Sequence, residues 1–136
     1  MATPTWMSLT AQDDLDKLLE LFGGFHDGCI REAHVWTETY VNPDLHMSCA
    51  DDLDTRVRLL VQRQYRSPSA IELLFEGVVA FHLKPSPEYY DSIILGAAMI
   101  HDGGIFYWSD SEDWLPTASD RDESTWIAAK KYRGVM

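Results

Sequence analysis

The tripeptide His-Asp-Gly occurs twice in this chain, at residues 26–28 and at residues 101–103. An imidazole beside a carboxylate can act as an oriented general base, and the same two side chains can bind a metal. A tight turn also uses Asp and Gly, since Asp accepts hydrogen bonds from backbone amides and Gly permits unusual backbone angles. His26 and Asp27 are therefore the candidate catalytic residues, and a structural turn at this place is the alternative.

The second copy has a simpler explanation, because Asp-Gly is a preferred dipeptide of two-residue type I′ hairpin turns. We expect Asp102 and Gly103 to form such a turn, with the tip of the hairpin in solvent. Small residues would then face large aromatic ones across the hairpin. The predicted pairs are Ile100 with Ile105, Ala98 with Tyr107, and Ala97 with Trp108.

Other familiar sites of chemistry are missing from the sequence. It contains no Cys-x-x-Cys or His-x-x-x-His zinc spacing, no phosphate-binding glycine loop, no dinucleotide fingerprint and no nucleophile elbow. The acidic stretch after residue 109 lacks the spacing of a twelve-residue calcium loop. We predict no cofactor and no metal, and we regard an enzymatic function as the less favoured interpretation.

The charge of the chain limits its partners. With 11 basic and 22 acidic residues, the net charge is −11 and the isoelectric point is about 4.6. Nucleic acids and anionic membranes are disfavoured, since both bind through lysine and arginine. A basic protein partner is favoured, because the charge would steer its approach. The acidic stretch and its flanking tryptophans are the candidate partner-binding residues, since aromatic side chains beside charges are common in interfaces: Trp108, Asp110, Glu112, Asp113 and Trp114.

The compartment follows from features that the sequence does not contain. No apolar stretch resembles a signal peptide, and no run of about 18 apolar residues would span a membrane. The two cysteines, Cys29 and Cys49, do not form a disulfide framework. We therefore expect a cytoplasmic protein with reduced thiols.

An amphipathic helix is predicted over residues 10–22. Thr10 and Asp13 have the spacing of a capping box. Leucines and a phenylalanine recur at i, i+3, i+4 and i+7, which makes one apolar stripe, and Gly23-Gly24 should end the helix. The stripe consists of Leu15, Leu18, Leu19 and Phe22.

Alternating apolar residues predict β-strands from about residue 29 to residue 133. A hairpin near Ser67-Pro68 needs an odd loop of three or five residues, because a slip of one residue would invert every side chain; Val61 would then face Phe75, and Tyr65 would face Ile71. The segment 92–100 is predicted to be a central strand covered on both faces. Residues 125–133 fit a last strand or a short helix, and residues 1–9 a loose lead-in.

Together these elements predict an α+β fold in a single domain, residues 1–136. Its sheet is mainly antiparallel, with about six or seven strands in hairpin order, and the N-terminal amphipathic helix packs on it. A chain of this length buries enough surface to fold without a disulfide or a metal.

Four short motifs in this order resemble those of a family of small uncharacterised bacterial cytosolic proteins. They are Phe25-His26-Asp27, Phe75-Glu76-Gly77, Tyr107-Trp108 and Thr125-Trp126-Ile127. The chain is also loosely similar to immunity proteins of bacterial toxin–immunity pairs, which are small, often acidic α+β domains. The resemblance implies no known activity and assigns no catalytic residue.

Three functions remain open from the sequence. The first is a non-enzymatic acidic module that binds a protein partner, such as an immunity-type protein. The second is a small hydrolase that uses His26 and Asp27. The third is a homodimeric structural protein with an exposed strand edge or aromatic patch as its interface.

Overall fold

A computed structural model describes residues 6–136 and shows an α+β fold. One helix packs on a seven-stranded antiparallel sheet, and a separate two-stranded hairpin projects from the chain after the second strand. The elements are β1 (Met7–Leu9), α1 (Gln12–Leu21), β2 (Gly28–Trp36), β3 (Tyr40–Val41), β4 (Met47–Ser48), β5 (Arg56–Arg63), β6 (Ala70–His82), β7 (Ala98–Asp102), β8 (Ile105–Ser109) and β9 (Trp126–Val135). The predicted fold class is confirmed.

The strand β9 is the centre of the sheet. The order across the sheet is β2-β5-β6-β9-β8-β7, and β1 pairs with the far half of β9, beyond the end of β8. The last strand is therefore a strand and not the alternative helix. The expected loose lead-in is wrong for Met7–Leu9, which forms β1; residues 1–5 lie outside the described residues.

Helix α1 covers the inner face of the sheet. Leu15, Leu18 and Phe22 are fully buried, which confirms the predicted stripe. The helix begins two residues later than predicted. Asp14, not Asp13, closes its first turn by accepting hydrogen bonds from the backbone N–H groups of Thr10 and Ala11.

The β5–β6 hairpin has the predicted faces and a different register. Val57, Leu59 and Val61 all point into the core, as an odd loop requires. The loop is longer than expected, because pairing ends at Gln62 and Ala70. Val61 therefore faces Ile71 rather than Phe75, and Tyr65 lies in the exposed loop.

The β7–β8 hairpin also differs from its predicted register by two residues. Its turn is Gly103-Gly104, both with positive φ, and Asp102 pairs with Ile105 as the last residue of the strand. Ala98 faces Ser109 and Ile100 faces Tyr107. Two consecutive glycines adopt the left-handed angles of a type I′ turn at less cost than Asp-Gly.

Strand β7 is covered on both faces, but it is an edge strand and not a central one. Met99 faces the main core under α1, and Ala98 belongs to a second apolar cluster on the outer face. The rest of the segment predicted as strand, residues 92–97, is irregular apart from one bridge at Ile94.

The sheet closes on itself at one corner. Ile94 forms an antiparallel bridge with Gly28 at the start of β2, and the Ala97 N–H donates to the Gly24 carbonyl. Since Ile94 precedes β7 by a few residues, this bridge connects the two ends of the sheet. The first His-Asp-Gly copy lies at this corner.

No helix within residues 6–136 has the length and apolar character that crossing a membrane would require.

Candidate functional site

His26 and Asp27 follow a sharp change of chain direction. Helix α1 ends before Gly23 and Gly24, which both have positive φ. Phe25 also has a positive φ and is fully buried, with its ring edge-on to Trp108 at 5.8 Å. The buried ring holds this strained turn in place, because a non-glycine residue adopts such angles only when its surroundings enforce them.

The two side chains contact each other at the surface. His26 Nδ1 lies 3.2 Å from Asp27 Oδ2, and the side chains are 63% and 37% exposed. Contact through Nδ1 leaves Nε2 available, which is the arrangement of an imidazole oriented by a carboxylate. The pair is an ion pair only when His26 is protonated.

The backbone of Asp27, and not its carboxylate, stabilises the corner. Its N–H donates to the Ile94 carbonyl at 3.0 Å, and its carbonyl accepts from the Gln64 N–H at 3.2 Å. The predicted acceptor role of the Asp27 carboxylate in a turn is not observed, because the only partner seen for it in the described chain is His26. The motif therefore stabilises the corner through its backbone, while its two side chains contact each other at the surface.

Gly28 is needed here because the corner is crowded. A Cβ at this position would lie 2.8 Å from the Phe25 carbonyl oxygen and 3.2 Å from that of Gln62. Both neighbours are backbone atoms that cannot rotate away. Glycine is thus required here because other backbone atoms approach it closely, and not because its φ is unusual.

An open groove of about 330 Å³ lies beside Asp27. Asp27 lines it and His26 does not, so the two members of the pair do not face a common cavity. The rest of the lining is mixed and includes a cation and an apolar side chain: Gly28, Cys29, Gln62, Arg63, Gln64, Ser69 and Ile93. This arrangement can bind a small polar molecule next to a carboxylate, but it does not bring the imidazole to that molecule.

The second copy of the motif is part of the sheet. The His101 ring stacks on Phe106 at 4.2 Å, and its backbone N–H donates to the side chain of Gln12. Asp102 pairs with Ile105. His101 lines an open cavity of about 330 Å³ and Asp102 does not, so this His-Asp pair does not converge on a common site.

Arg63 is a buried cation beside the same corner. It is 6% exposed, its Nε donates to the Pro68 carbonyl, and its guanidinium lies 4.2 Å from the centre of the Phe22 ring. Burial, together with the nearby charge of Arg66, lowers the pKa of Arg63. Gly23, two residues after the end of α1, lies close to both guanidinium groups. Their charges therefore complement the negative end of the helix dipole, which has no basic residue of its own in its last turn.

The two candidate tryptophans of the acidic stretch are buried. Trp108 lies in the main core and Trp114 in the outer cluster, so neither ring is presented to solvent, and their role in partner binding stays a prediction. Trp114 packs against Trp126 at 5.6 Å, and its indole N–H donates to the Arg121 carbonyl. Each ring therefore stabilises the apolar cluster in which it packs.

Residues 110–124 form a loop that covers the outer cluster; we call it the acidic loop. Asp110 fixes its start, since its carboxylate accepts from the Thr125 N–H at 3.1 Å. Partial burial raises the pKa of Asp110, and this hydrogen bond opposes the rise. Glu112 and Asp113, the other two predicted residues, are exposed on the loop.

A second acidic segment was not predicted as a site. Residues 37–55, here called the arm, contain the β3–β4 hairpin together with five acidic and no basic residues: Glu38, Asp44, Asp51, Asp52 and Asp54. Four large apolar side chains of the arm are more than half exposed: Tyr40, Val41, Leu45 and Met47. Counting charges by segment, rather than over the whole chain, would have identified it.

The arm and the acidic loop carry almost all of the net charge. They contain 11 of the 22 acidic residues and only one of the 11 basic residues, Arg121. The remaining 11 acids and 10 bases nearly cancel. The charge is therefore concentrated on two surfaces rather than spread evenly.

Within residues 6–136, no three His, Cys, Asp or Glu side chains come together in a way that could hold a metal ion. The acids of both segments are thus single surface charges and not ligand sets.

Comparisons with known proteins add no functional assignment. The chain matches no protein-family model, no curated protein and no solved structure.

Proposed function

We propose that this protein is a non-enzymatic binding module that docks a basic protein partner on its acidic loop. The observation that carries the proposal is the concentration of charge: the loop has six acidic residues and one basic residue. A surface of one sign attracts a partner of the opposite sign and accelerates its approach.

The loop is also held in one conformation before any partner binds. The Trp114 indole donates within the loop, and the Trp126 indole donates to Asp122 Oδ1 at 3.0 Å. Asp110 connects the start of the loop to its end. A surface that is already ordered loses little entropy on binding, so its charges can contribute to affinity.

An immunity protein that blocks a basic toxin is one specific form of this function. The loose resemblance to immunity proteins supports this form, together with the small size and the acidity of the chain. A product of a neighbouring gene that is basic and toxic would be the expected partner.

The experiment is to co-express the chain with the basic product of its neighbouring gene and measure their affinity at two salt concentrations. Glu112→Gln combined with Glu123→Gln should weaken the complex about tenfold, and added salt should weaken it further. The matched control is Glu20→Gln combined with Glu88→Gln, which removes the same charge from exposed sites elsewhere. Equal losses in both double variants would contradict docking on the loop, and no complex at low salt with a harmless neighbour would contradict the function.

A small hydrolase remains the second candidate, because His26 Nδ1 contacts Asp27 and leaves Nε2 free. His26→Ala should abolish any hydrolysis of chromogenic esters while leaving the melting temperature within about 1 °C, since the ring is exposed. Activity that persists in the variant would remove this candidate.

A further inference from the structure

The edge of β2 is open along most of its length. β5 pairs with one side of β2, and the only partner described on the other side is Ile94, at Gly28. From Arg31 to Val35 every residue is exposed. An exposed strand edge presents unpaired N–H and C=O groups that can pair with another strand.

The open stretch also has an apolar row. Ala33 pairs with Leu59 and Val35 pairs with Val57, so both point to the core side of the sheet. The two β5 residues are fully buried, yet Val35 is 51% exposed. The core side of the sheet thus continues onto β2 without a cover.

Exposed apolar side chains flank this edge at both ends. The arm, with Tyr40, Val41, Leu45 and Met47, follows the C-terminal end of β2. The segment around Ile94, which is held at the N-terminal end of β2, has a second set of exposed residues: Tyr89, Tyr90, Ile93 and Leu95.

We propose that the open edge of β2 is an interface between two copies of this chain, paired antiparallel about a two-fold axis. A two-fold axis across an antiparallel strand pair exchanges the two ends of the edge. The arm of each copy would therefore face the apolar segment around Ile94 of the other. In the same arrangement the Ala33 and Val35 rows of the two copies lie side by side on one face.

The choice of a second copy, rather than a different partner, rests on this self-complementarity. The two apolar sets lie at opposite ends of one edge, as an isologous interface requires. A basic partner would instead be expected to bind at the acidic loop, and its complex would weaken in salt. A dimer of chains that each carry −11 must overcome charge repulsion, so salt should strengthen it.

The experiment is sedimentation of the whole chain over a concentration series at low and at high salt, combined with amide hydrogen exchange. We expect a species of twice 15.5 kDa whose dissociation constant falls about fivefold at high salt. The amides of residues 30–36 should become protected as the dimer forms. A 15.5 kDa species alone at about 1 mM protein and both salt concentrations would overturn the proposal. Protection confined to residues outside β2, the arm and the segment around Ile94 would overturn it as well.

Two valines provide a matched pair of variants. Val35→Lys puts a charge into the apolar row and should raise the dissociation constant at least about tenfold. Val79→Lys changes a similarly exposed valine of β6, 53% against 51% exposed, away from the edge, and should leave it unchanged. Equal effects would overturn the proposal. The acidic loop is unchanged in both variants, so failure here would leave the binding of a basic partner standing.

Discussion

The two outer edges of the sheet differ in whether their backbone groups are covered. At β7, the side chain of Gln12 behaves like a short partner strand: its Nε2 donates to the Met99 carbonyl at 3.0 Å, and its Oε1 accepts from the His101 N–H at 2.8 Å. At β2, no side chain or strand of residues 6–136 is seen to cover the outer backbone beyond the Ile94 bridge. One edge is therefore satisfied within the chain, and the other is available to a second strand.

This difference assigns the two edges different roles: the β7 edge contributes to the stability of the fold, and the β2 edge is available for interaction. The β7 side belongs to the core, because α1, which carries Gln12, packs there. The β2 side can change its partners at little cost to the fold, because Arg31 to Val35 are exposed on both faces. The following predictions test that separation, from the largest expected effect to the smallest.

Substitutions at the corner that joins the two edges should lower the free energy of unfolding more than the other variants. Gly28→Ala should lower the free energy of unfolding by about 3 kcal/mol, because its Cβ would meet backbone oxygens that cannot move. Gly24→Ala is the control: it has a positive φ of 66° but no neighbour within 4 Å, and should lose only about 1 kcal/mol. Urea unfolding measures both free energies. If Gly28→Ala lost no more stability than Gly24→Ala, the backbone at the corner would not be closely packed.

Val57 of β5 and Val35 of β2 are paired residues on neighbouring strands. Because both are valines, the same substitution at each compares a core position with an edge position. Val57→Ala should lower the free energy of unfolding by about 2 kcal/mol, because it leaves a cavity in the core. Val35→Ala should lower it by about 0.5 kcal/mol in dilute solution. Comparable losses, measured by the same unfolding experiment, would mean that β2 is as integral to the core as β5.

Gln12→Ala removes the cover of the β7 edge. It should lower the free energy of unfolding by about 1.5 kcal/mol, because the Met99 carbonyl and the His101 N–H lose their partner. Hydrogen exchange at the His101 amide should accelerate, while that of residues 30–36 should not change. Gln62→Ala, an exposed glutamine of β5, is the control; equal exchange at His101 in both variants would show that the Gln12 amide does not protect this edge.

Acid should loosen the β7 edge selectively. Hydrogen bonds from the backbone and hydroxyl of Thr10 hold the pKa of Asp14 below its ordinary value. A carboxylate whose pKa is lower in the folded than in the unfolded state stabilises the fold at pH values above its unfolded-state pKa. That stabilisation is lost as the pH falls through its folded-state pKa. The protection factor of the His101 amide, which corrects for the lower intrinsic exchange rate in acid, should therefore fall in this acidic range, through the start of α1. Asp14→Asn should remove that fall. An identical pH profile in the variant would contradict the link.

Much of the fold was predictable from local patterns. The stripe of α1 and the inward faces of β5 and β6 follow from side-chain periodicity, which depends only on neighbouring residues. Register was less predictable, because it depends on loop length: the β5–β6 loop takes in Tyr65, whose aromatic side chain fitted the alternating pattern. Asp102 was placed in a turn because Asp-Gly and Gly-Gly both favour the same turn type.

The candidate site was less predictable, because burial of the second sheet face is a tertiary property. Trp108 and Trp114 stand beside acidic residues in the sequence, which is typical of an interface. The acidic loop folds back over the outer face, however, and places Trp114 in a second apolar cluster. The role of Asp27 was hidden for a similar reason, since its backbone partner Ile94 lies far along the chain.

The central position of β9 has a consequence for protein synthesis. This strand is made after β6, β8 and β1, and it pairs with all three. While the ribosome is still translating the acidic loop, the edges of β6 and β8 that will hold β9 remain empty. The nascent chain therefore exposes more open strand edge than the finished protein, and a chaperone would be needed most in the interval before residue 126 emerges.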